Sequence, residues 1–186
     1  MKKIEDYIYV KNHINKNLCD EILTDIKKQK WDRHNWYKYD TDTMNSLDQD
    51  ADVLQCSIEN QNKLMPIIFN ALHEYQKLNH YKEVGVNFIT KHTGIRFNNY
   101  KKGMCMAYHY DHIHSIFDGK EKGVPILSVV GLLNDDFKGG EFEICNKKIK
   151  LKKGDIIIFP SCFIYAHKVN PVKSKQSRYS FVCWTY

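Results

Sequence analysis

The segment YHYDHIH, residues 108–114, contains three histidines and one aspartate within seven positions. Imidazole and carboxylate groups at this density are typical of a metal site. Side chains two positions apart on a strand point to the same face, so His109 and Asp111 can bind one ion together. His167 is the only histidine that follows this segment, and it is therefore the candidate for a third ligand.

Two histidines and one carboxylate on one side of an ion form a facial triad that leaves coordination positions open. This arrangement points to a non-haem Fe(II) oxygenase. His112 and His114 are competing ligands, but only His109 pairs with Asp111 at same-face spacing. An HxD pattern alone also fits a polar strand end at the protein surface, so further features have to support the metal site.

The segment RYSFVCW, residues 178–184, supplies such a feature. Strand alternation places Arg178, Ser180, Val182 and Trp184 on one face. A guanidinium with a hydroxyl two residues further on can clamp a carboxylate. An arginine that points into a barrel is costly without an anionic partner, so the pattern predicts a diacid cosubstrate. The alternative is an outward arginine paired with a surface acid.

Two helices are expected before about residue 82. The segment 15–31 has an apolar stripe at helical spacing with Asn15 or Asn17 as its cap, and the segment 61–81 repeats apolar residues every three to four positions. Pro66 is expected in the first turn of the second helix, where proline is tolerated.

From about residue 83 the chain is predicted to form strands that are rich in β-branched and aromatic residues. Eight or so closely spaced strands favour a barrel or a two-sheet jelly roll, so the fold class is mostly β with flanking helices. We expect one domain over 1–186, with a helix-rich support over 1–82 and the catalytic core over 83–186. The predicted strands are VGVNFIT, GIRFNNY, MCMAYHYD, PILSVVGLLN, GEFEIC, KIKLKKGDIIIF, CFIYAHKV and RYSFVCWTY.

Two segments are expected to be loops with a role at the site. Residues 32–55 are polar and aromatic and suit an ordered functional loop or a short hairpin. Within them, RHNWYKY at 33–39 could form a substrate wall or pack against the barrel. Residues 112–123 could be a substrate lid or a plain connection.

Length and charge limit the classes of protein. The chain has 186 residues and a net charge of +6, with lysines spread throughout, which fits a solvated basic surface as well as a nucleic-acid contact. It has no apolar run of membrane-spanning length and is expected to be cytoplasmic, with no membrane partner.

The six cysteines form no CxxC pair and are expected to be reduced, although Cys105 and Cys162 lie near the metal motifs.

These motifs, in this order, resemble the Fe(II)/2-oxoglutarate dioxygenases of the prolyl 4-hydroxylase type. The resemblance covers about residues 95–186, and the combination is far more specific than any one part. The motifs are YKKG (100–103), HYD (109–111), SVVGLLNDDFKGGEF (128–142), KGDIIIFPS (153–161), HKVNPV (167–172) and RYSFVCW (178–184).

The resemblance implies a double-stranded β-helix that uses Fe(II), 2-oxoglutarate and O2. It implies iron ligation by His109, Asp111 and His167 and a pairing of Arg178 with the distal carboxylate of 2-oxoglutarate. Further cosubstrate contacts are implied for Tyr100, Ser128 and Ser180, and pocket positions for Trp184, Tyr108 and Leu132. Relatives often carry a tyrosine or another polar residue where this chain has Leu132, so the carboxylate contacts are expected to differ in detail.

The implied reaction is hydroxylation of an aliphatic C–H, with a prolyl or other side chain of a protein or peptide, or a small molecule, as substrate. One rival is a nucleic-acid oxygenase. Its relatives place a second arginine six residues after the first, where this chain has Trp184. The other rival is a cupin-like module that binds a structural or sensing metal without catalysis. The oligomeric state does not follow from the sequence.

Overall fold

The structure is a computed structural model that describes residues 2–38, 41–80, 91–112 and 124–186, without the side chains of residues 37 and 38. The predicted strand VGVNFIT and all of the predicted 112–123 loop except His112 lie outside the described residues, as does His114. The remaining predictions can be compared with the fold.

Thirteen strands in the described residues form two main sheets and a hairpin. In chain order they are β1 (Tyr9–Asn12), β2 (Asp32–Arg33), β3 (Trp36–Lys38), β4 (Thr43–Asn45), β5 (Asp52–Gln55), β6 (Arg96–Tyr100), β7 (Met106–His109), β8 (Leu127–Leu132), β9 (Phe142–Ile144), β10 (Lys147–Ile149), β11 (Asp155–Pro160), β12 (His167–Val169) and β13 (Arg178–Thr185).

The major sheet has the order β1-β11-β8-β13-β6-β5-β2, the minor sheet has the order β10-β9-β12-β7, and β3 pairs with β4. All of these pairings are antiparallel. This two-sheet arrangement confirms the predicted jelly roll, a double-stranded β-helix with flanking helices.

Strand β11 shows how the layers are held together. Its side chains alternate, so Ile156 and Ile158 belong to one buried cluster and Ile157 and Phe159 to another. The first cluster joins the major sheet to the helices, and the second joins it to the minor sheet. Because both faces of the sheet are covered, β11 is a continuous apolar run rather than an alternating one.

Two α-helices cover the outer face of the major sheet, α1 (Lys16–Ile26) and α2 (Ile58–Leu78). The side chain of Asn15 accepts a hydrogen bond from the backbone N–H of Leu18, so Asn15 is the cap of α1. Among the described residues, no helix combines the length and the apolar character needed to cross a membrane.

The prediction that Pro66 lies in the first turn of its helix is wrong. Helix α2 begins at Ile58, where Ser57 accepts from the backbone N–H of Asn60, and Pro66 lies in the helix interior. The apolar stripe starts only at Leu64, so the polar first turns gave no periodic signal. Pro66 is exposed and has no N–H to donate, which costs the helix one backbone hydrogen bond.

Two predicted strands need correction. KIKLKKGDIIIF divides into β10 and β11 at the KKGD turn, where Gly154 has a φ of +88°. CFIYAHKV is not one strand, because Phe163–Tyr165 form a 3-10 turn before β12 begins at His167. The N-terminal residues also contribute β1 and β5 to the major sheet, and we had not predicted either strand.

Gly131 permits the close approach of β8 and β13. It lies opposite Phe181 in their pairing, and a Cβ atom at Gly131 would overlap the Phe181 ring. We expect Gly131→Ala to lower the free energy of unfolding by about 1–3 kcal/mol, because the ring would have to leave its position. Urea denaturation measures this change.

The matched control is Gly94→Ala. A Cβ at Gly94 would lie 3.8 Å from its nearest neighbour, the Oε1 atom of Gln61, so we expect a change within about 0.5 kcal/mol. Equal losses of stability in the two variants would contradict this account of the β8–β13 contact.

Candidate metal centre and its cavity

Strand pairing brings the two predicted histidine ligands together. His109 ends β7 and lies opposite His167, the first residue of β12, with ring centroids 4.3 Å apart. Asp111 follows β7 in a bend. Its Oδ1 is 3.5 Å from the Nε2 of His109 and its Oδ2 is 3.7 Å from the Nε2 of His167. One possible ligand atom from each residue lies within 4.8 Å of the others, so the three could hold one metal ion.

Backbone carbonyls orient both imidazoles. The Nδ1 of His109 lies 2.7 Å from the carbonyl oxygen of Ala107, and the Nδ1 of His167 lies 3.1 Å from that of Tyr165. A carbonyl oxygen only accepts, so Nδ1 carries the proton and donates in both rings. The lone pair is then on Nε2, which faces Asp111, and this is the tautomer that binds a metal.

Asp111 is held as an ionised carboxylate. Ser128 donates a hydrogen bond of 2.6 Å to its Oδ2, and the hydroxyls of Ser128 and Ser161 are 2.8 Å apart. Burial raises the pKa of Asp111, but its interactions with the two imidazoles and the hydrogen bond from Ser128 outweigh burial, so its pKa lies well below the usual range. Asp111 is therefore anionic at neutral pH and could bind a cation.

His167 is held as a neutral imidazole. It is 4% exposed, and its ring packs against the rings of Phe142 and Phe159 at centroid distances of 5.4 and 4.8 Å. Burial lowers its pKa to about 4, although the charge of Asp111 acts in the opposite direction. A neutral imidazole is the form that binds a metal.

A cavity of about 460 Å³ lies beside these three residues. Arg178, 1% exposed, lines it and donates from an Nη atom to the Oγ of Ser180 at 2.8 Å. Its guanidinium carbon lies 5.1 Å from the ring centroid of Tyr100, which also lines the cavity. Burial raises the pKa of Tyr100, so its phenol stays protonated and can donate a hydrogen bond.

The double-glycine turn, Gly139 and Gly140, comes close to Arg178. Gly140 has a φ of +65°, and a Cβ atom there would lie 3.0 Å from the Cδ of Arg178. This turn therefore fixes one side of the guanidinium stem.

Unpartnered polar atoms are concentrated in the cavity. Eight buried side-chain nitrogen or oxygen atoms of the described residues have no hydrogen-bond partner, and five of these belong to cavity-lining residues. Buried polar groups are normally paired, so this concentration is typical of a site that receives a polar ligand. The five atoms are His34 Nε2, Arg96 Nε, Asn98 Oδ1, Arg178 Nε and Trp184 Nε1.

Arg178, Tyr100, Ser180 and Trp184 all line the cavity, whereas three other predicted site residues do not. Ser128 donates to Asp111, and its contact with the cosubstrate stays a prediction. Leu132 is buried opposite Ser180 but lies outside the lining.

Tyr108 lies on the outer side of β7 and is 52% exposed. It lines a separate, more open pocket of about 260 Å³ together with Trp36, Asn45, Leu47 and Ala107. The sequence analysis gave Tyr108 a pocket position but did not distinguish this outer pocket from the cavity.

Among the competing ligands, His112 is not part of the metal group in the described residues.

Several cavity residues were missed. Arg96 and Asn98 precede Tyr100 on β6 at two-residue spacing, so alternation from Tyr100 could have identified both. His34 and Trp36 come from the 32–55 segment, which forms part of the cavity wall as one of our two interpretations proposed. The Trp36 ring is 5.3 Å from that of His109, and this contact had no signal in the sequence.

Loss of the Ser128 hydroxyl should weaken metal binding. In Ser128→Ala the Asp111 carboxylate loses its 2.6 Å hydrogen bond and part of its orientation, so we expect affinity for Fe(II) to fall by about 10–100-fold. Anaerobic equilibrium dialysis measures this change. Ser180→Ala is the matched control and should leave Fe(II) affinity unchanged; an equal loss in both variants would contradict a role for Ser128 at the metal.

The comparisons with known proteins agree with this geometry. The sequence profile of the 2OG-Fe(II) oxygenase superfamily matches residues 95–186, which contain the three metal-site residues and Arg178. No curated protein is similar enough in sequence to count as a match.

Three solved structures share the fold. A viral collagen prolyl hydroxylase from Paramecium bursaria Chlorella virus-1, in complex with 2-oxoglutarate, is 19% identical with a TM-score of 0.66 and covers 96% of this chain and 94% of its own. A Trichoplax adhaerens prolyl hydroxylase bound to a peptide of the hypoxia inducible factor oxygen degradation domain is 16% identical with a TM-score of 0.71, over 97% and 84%. A Pseudomonas putida prolyl-4-hydroxylase is 13% identical with a TM-score of 0.69, over 96% and 91%.

At these identities the solved structures establish the fold, and the profile establishes the family. Membership implies Fe(II), 2-oxoglutarate and O2, and the His-Asp-His group fits the metal. Residues 95–186 therefore belong to the 2OG-Fe(II) oxygenase superfamily, and the chain has the double-stranded β-helix fold of the prolyl hydroxylases.

Proposed function

We propose that the protein hydroxylates an aliphatic C–H in a prolyl or other side chain of a protein or peptide. The observation that carries this proposal is the convergence of His109, Asp111 and His167 beside a cavity that also contains the buried Arg178. In this proposal residues 83–186 carry the chemistry, and residues 1–82 support the core as part of the same domain.

The three converging residues would hold Fe(II) through the two Nε2 atoms and the Asp111 carboxylate. A facial set of three ligands leaves positions open for the cosubstrate and O2. When bound, Fe(II) and 2-oxoglutarate together supply the oxidising power that breaks an unactivated C–H bond. The residues around the metal keep the ligands oriented and the site dry.

Arg178 would pair with the distal carboxylate of 2-oxoglutarate. Its charge is buried, its Nε has no partner, and no carboxylate of the described residues forms an ion pair with it. A buried guanidinium without an anion is costly, so the site is suited to a ligand that brings one. Ser180 accepts from one side of the guanidinium and Tyr100 can donate to the same carboxylate.

Two features support a peptide as the substrate. Aromatic and apolar side chains, among them Trp36, Met44 and Tyr110, line part of the cavity, and Met44 and Tyr110 are also exposed. The outer pocket shares Trp36 with the cavity, so residues next to the oxidised one have an apolar surface to contact. The Trichoplax adhaerens structure of the same fold contains a peptide.

The proposal is tested with proline-containing peptides under air, with Fe(II) and 2-oxoglutarate. We expect succinate and hydroxylated peptide in equal amounts, and none from His167→Ala. In Arg178→Ala the KM for 2-oxoglutarate should rise by roughly 30–5,000-fold, because truncation of one partner of a buried charge pair costs about 2–5 kcal/mol.

Arg33→Ala is the matched control for the arginine variant. Arg33 is an exposed residue that pairs with Asp52 at 3.7 Å, so its loss should leave the KM for 2-oxoglutarate unchanged. An unchanged KM in Arg178→Ala, or succinate formation that persists in His167→Ala, would contradict the proposed site.

A further inference from the structure

The cavity contains a second guanidinium that the proposed cosubstrate site does not use. Arg96 lies on β6 opposite Val182 of β13 and lines the cavity. Its Nε is buried without a partner, and no carboxylate among the described residues forms an ion pair with it. A cation placed in this way is costly to the fold unless an anion reaches it.

Arg96 is held over an aromatic ring, as Arg178 is. Its guanidinium carbon lies 5.3 Å from the ring centroid of Trp184, and that of Arg178 lies 5.1 Å from the ring of Tyr100. A guanidinium held over a ring face can still offer N–H groups to a carboxylate. Each arginine therefore presents a prepared anion contact.

The two arginines start from different positions along the sheet. Arg178 lies opposite Tyr100, and Arg96 is four residues from Tyr100 along β6, which corresponds to about 13 Å of strand. Burial lowers the pKa of Arg96, and the charge of Asp111 acts against that shift. The guanidinium is thus within electrostatic reach of the metal-site carboxylate.

The charges in the filled site leave Arg96 unbalanced. Apart from the histidines, the charged side chains among the described lining residues are Arg96, Arg178 and Asp111. Fe(II) and the dianion of 2-oxoglutarate carry opposite double charges that cancel. Asp111 would bind the metal and Arg178 the distal carboxylate, so the remaining positive charge is that of Arg96.

We propose that Arg96 binds a carboxylate of the substrate, so that the protein prefers a substrate with a carboxylate close to the oxidised C–H. This inference rests on the proposed function. The carboxylate can come from an acidic side chain next to the target residue or from the target residue's own terminal carboxylate. The cavity lining next to Arg96 along the chain and across β5 is uncharged, formed by Thr93, Gly94 and Gln55.

The test measures binding of peptide pairs to the anaerobic complex of the full chain with Fe(II) and 2-oxoglutarate, by calorimetry. One pair has Glu or Gln beside a single proline, and the other ends at that proline as a free acid or an amide. We expect the carboxylate member of at least one pair to bind about tenfold more tightly or better. The pair that shows the difference identifies the source of the carboxylate.

Arg96→Gln should remove this preference, with the affinity for 2-oxoglutarate unchanged, and Arg96→Lys should retain part of it. Lys102→Gln is the matched control, because it removes one positive charge from an exposed residue outside the cavity lining and should retain the preference in full. Thermal unfolding of each variant reports whether it is folded.

Three results would overturn the inference: equal binding within both pairs, no binding by any peptide to a complex that holds 2-oxoglutarate, or a loss of 2-oxoglutarate affinity in Arg96→Gln. Failure of the wild type to bind 2-oxoglutarate would instead overturn the proposed function, so the two failures are distinguishable.

Discussion

The antiparallel pairing of β7 and β12 is the constraint on which the rest of the site depends. It sets His109 opposite His167, and it directs the chain after β7 so that Asp111 faces both imidazoles. A slip of one residue would turn one histidine to the other face of the minor sheet and separate the ligands. The carbonyls that fix the two imidazoles belong to Ala107 and Tyr165, each two residues before its histidine, so local backbone and strand register act together.

The major sheet supplies the rigidity against which the charged groups are held. Its strands are covered on one face by α1 and α2 and on the other by the minor sheet, so inward-pointing residues of β13 and β6 have little freedom. This matters because Arg178 is buried and the half-buried Arg96 has a buried Nε, and neither forms an ion pair with a carboxylate in the part of the chain that the structure describes. Desolvation of these charges lowers the stability of the fold, and anionic ligands in the cavity would offset that loss.

Much of the C-terminal half could be predicted, because strand alternation, turn glycines and the HxD spacing are local signals. The same alternation placed Arg178, Ser180 and Trp184 on the cavity side. Arg96 was missed although it continues the face of Tyr100, because it lies before the YKKG motif, which begins at Tyr100. The contact of Ser128 with Asp111 joins β8 to the bend that follows β7. No local pattern in the sequence predicts such a contact.

The N-terminal half was harder to predict for a physical reason. Strands β1 and β5 are short, and their pairing with β11 and β6 depends on partners that are far away in sequence. The first turns of α2 are polar, so the apolar pattern does not mark where the helix starts. Trp36 becomes part of the cavity wall only when its segment packs against His109 of β7. Non-local contacts of this kind determine much of the site beyond its ligands.

The most direct measurement is an anaerobic titration of Fe(II) and 2-oxoglutarate into metal-free protein, followed in the visible range. If His109, Asp111 and His167 hold an iron that a keto acid chelates, a weak charge-transfer band will appear in the wild type and be absent in His109→Ala. Fe(II) that binds to the wild type without this band, at 2-oxoglutarate concentrations that saturate the protein, would contradict the account.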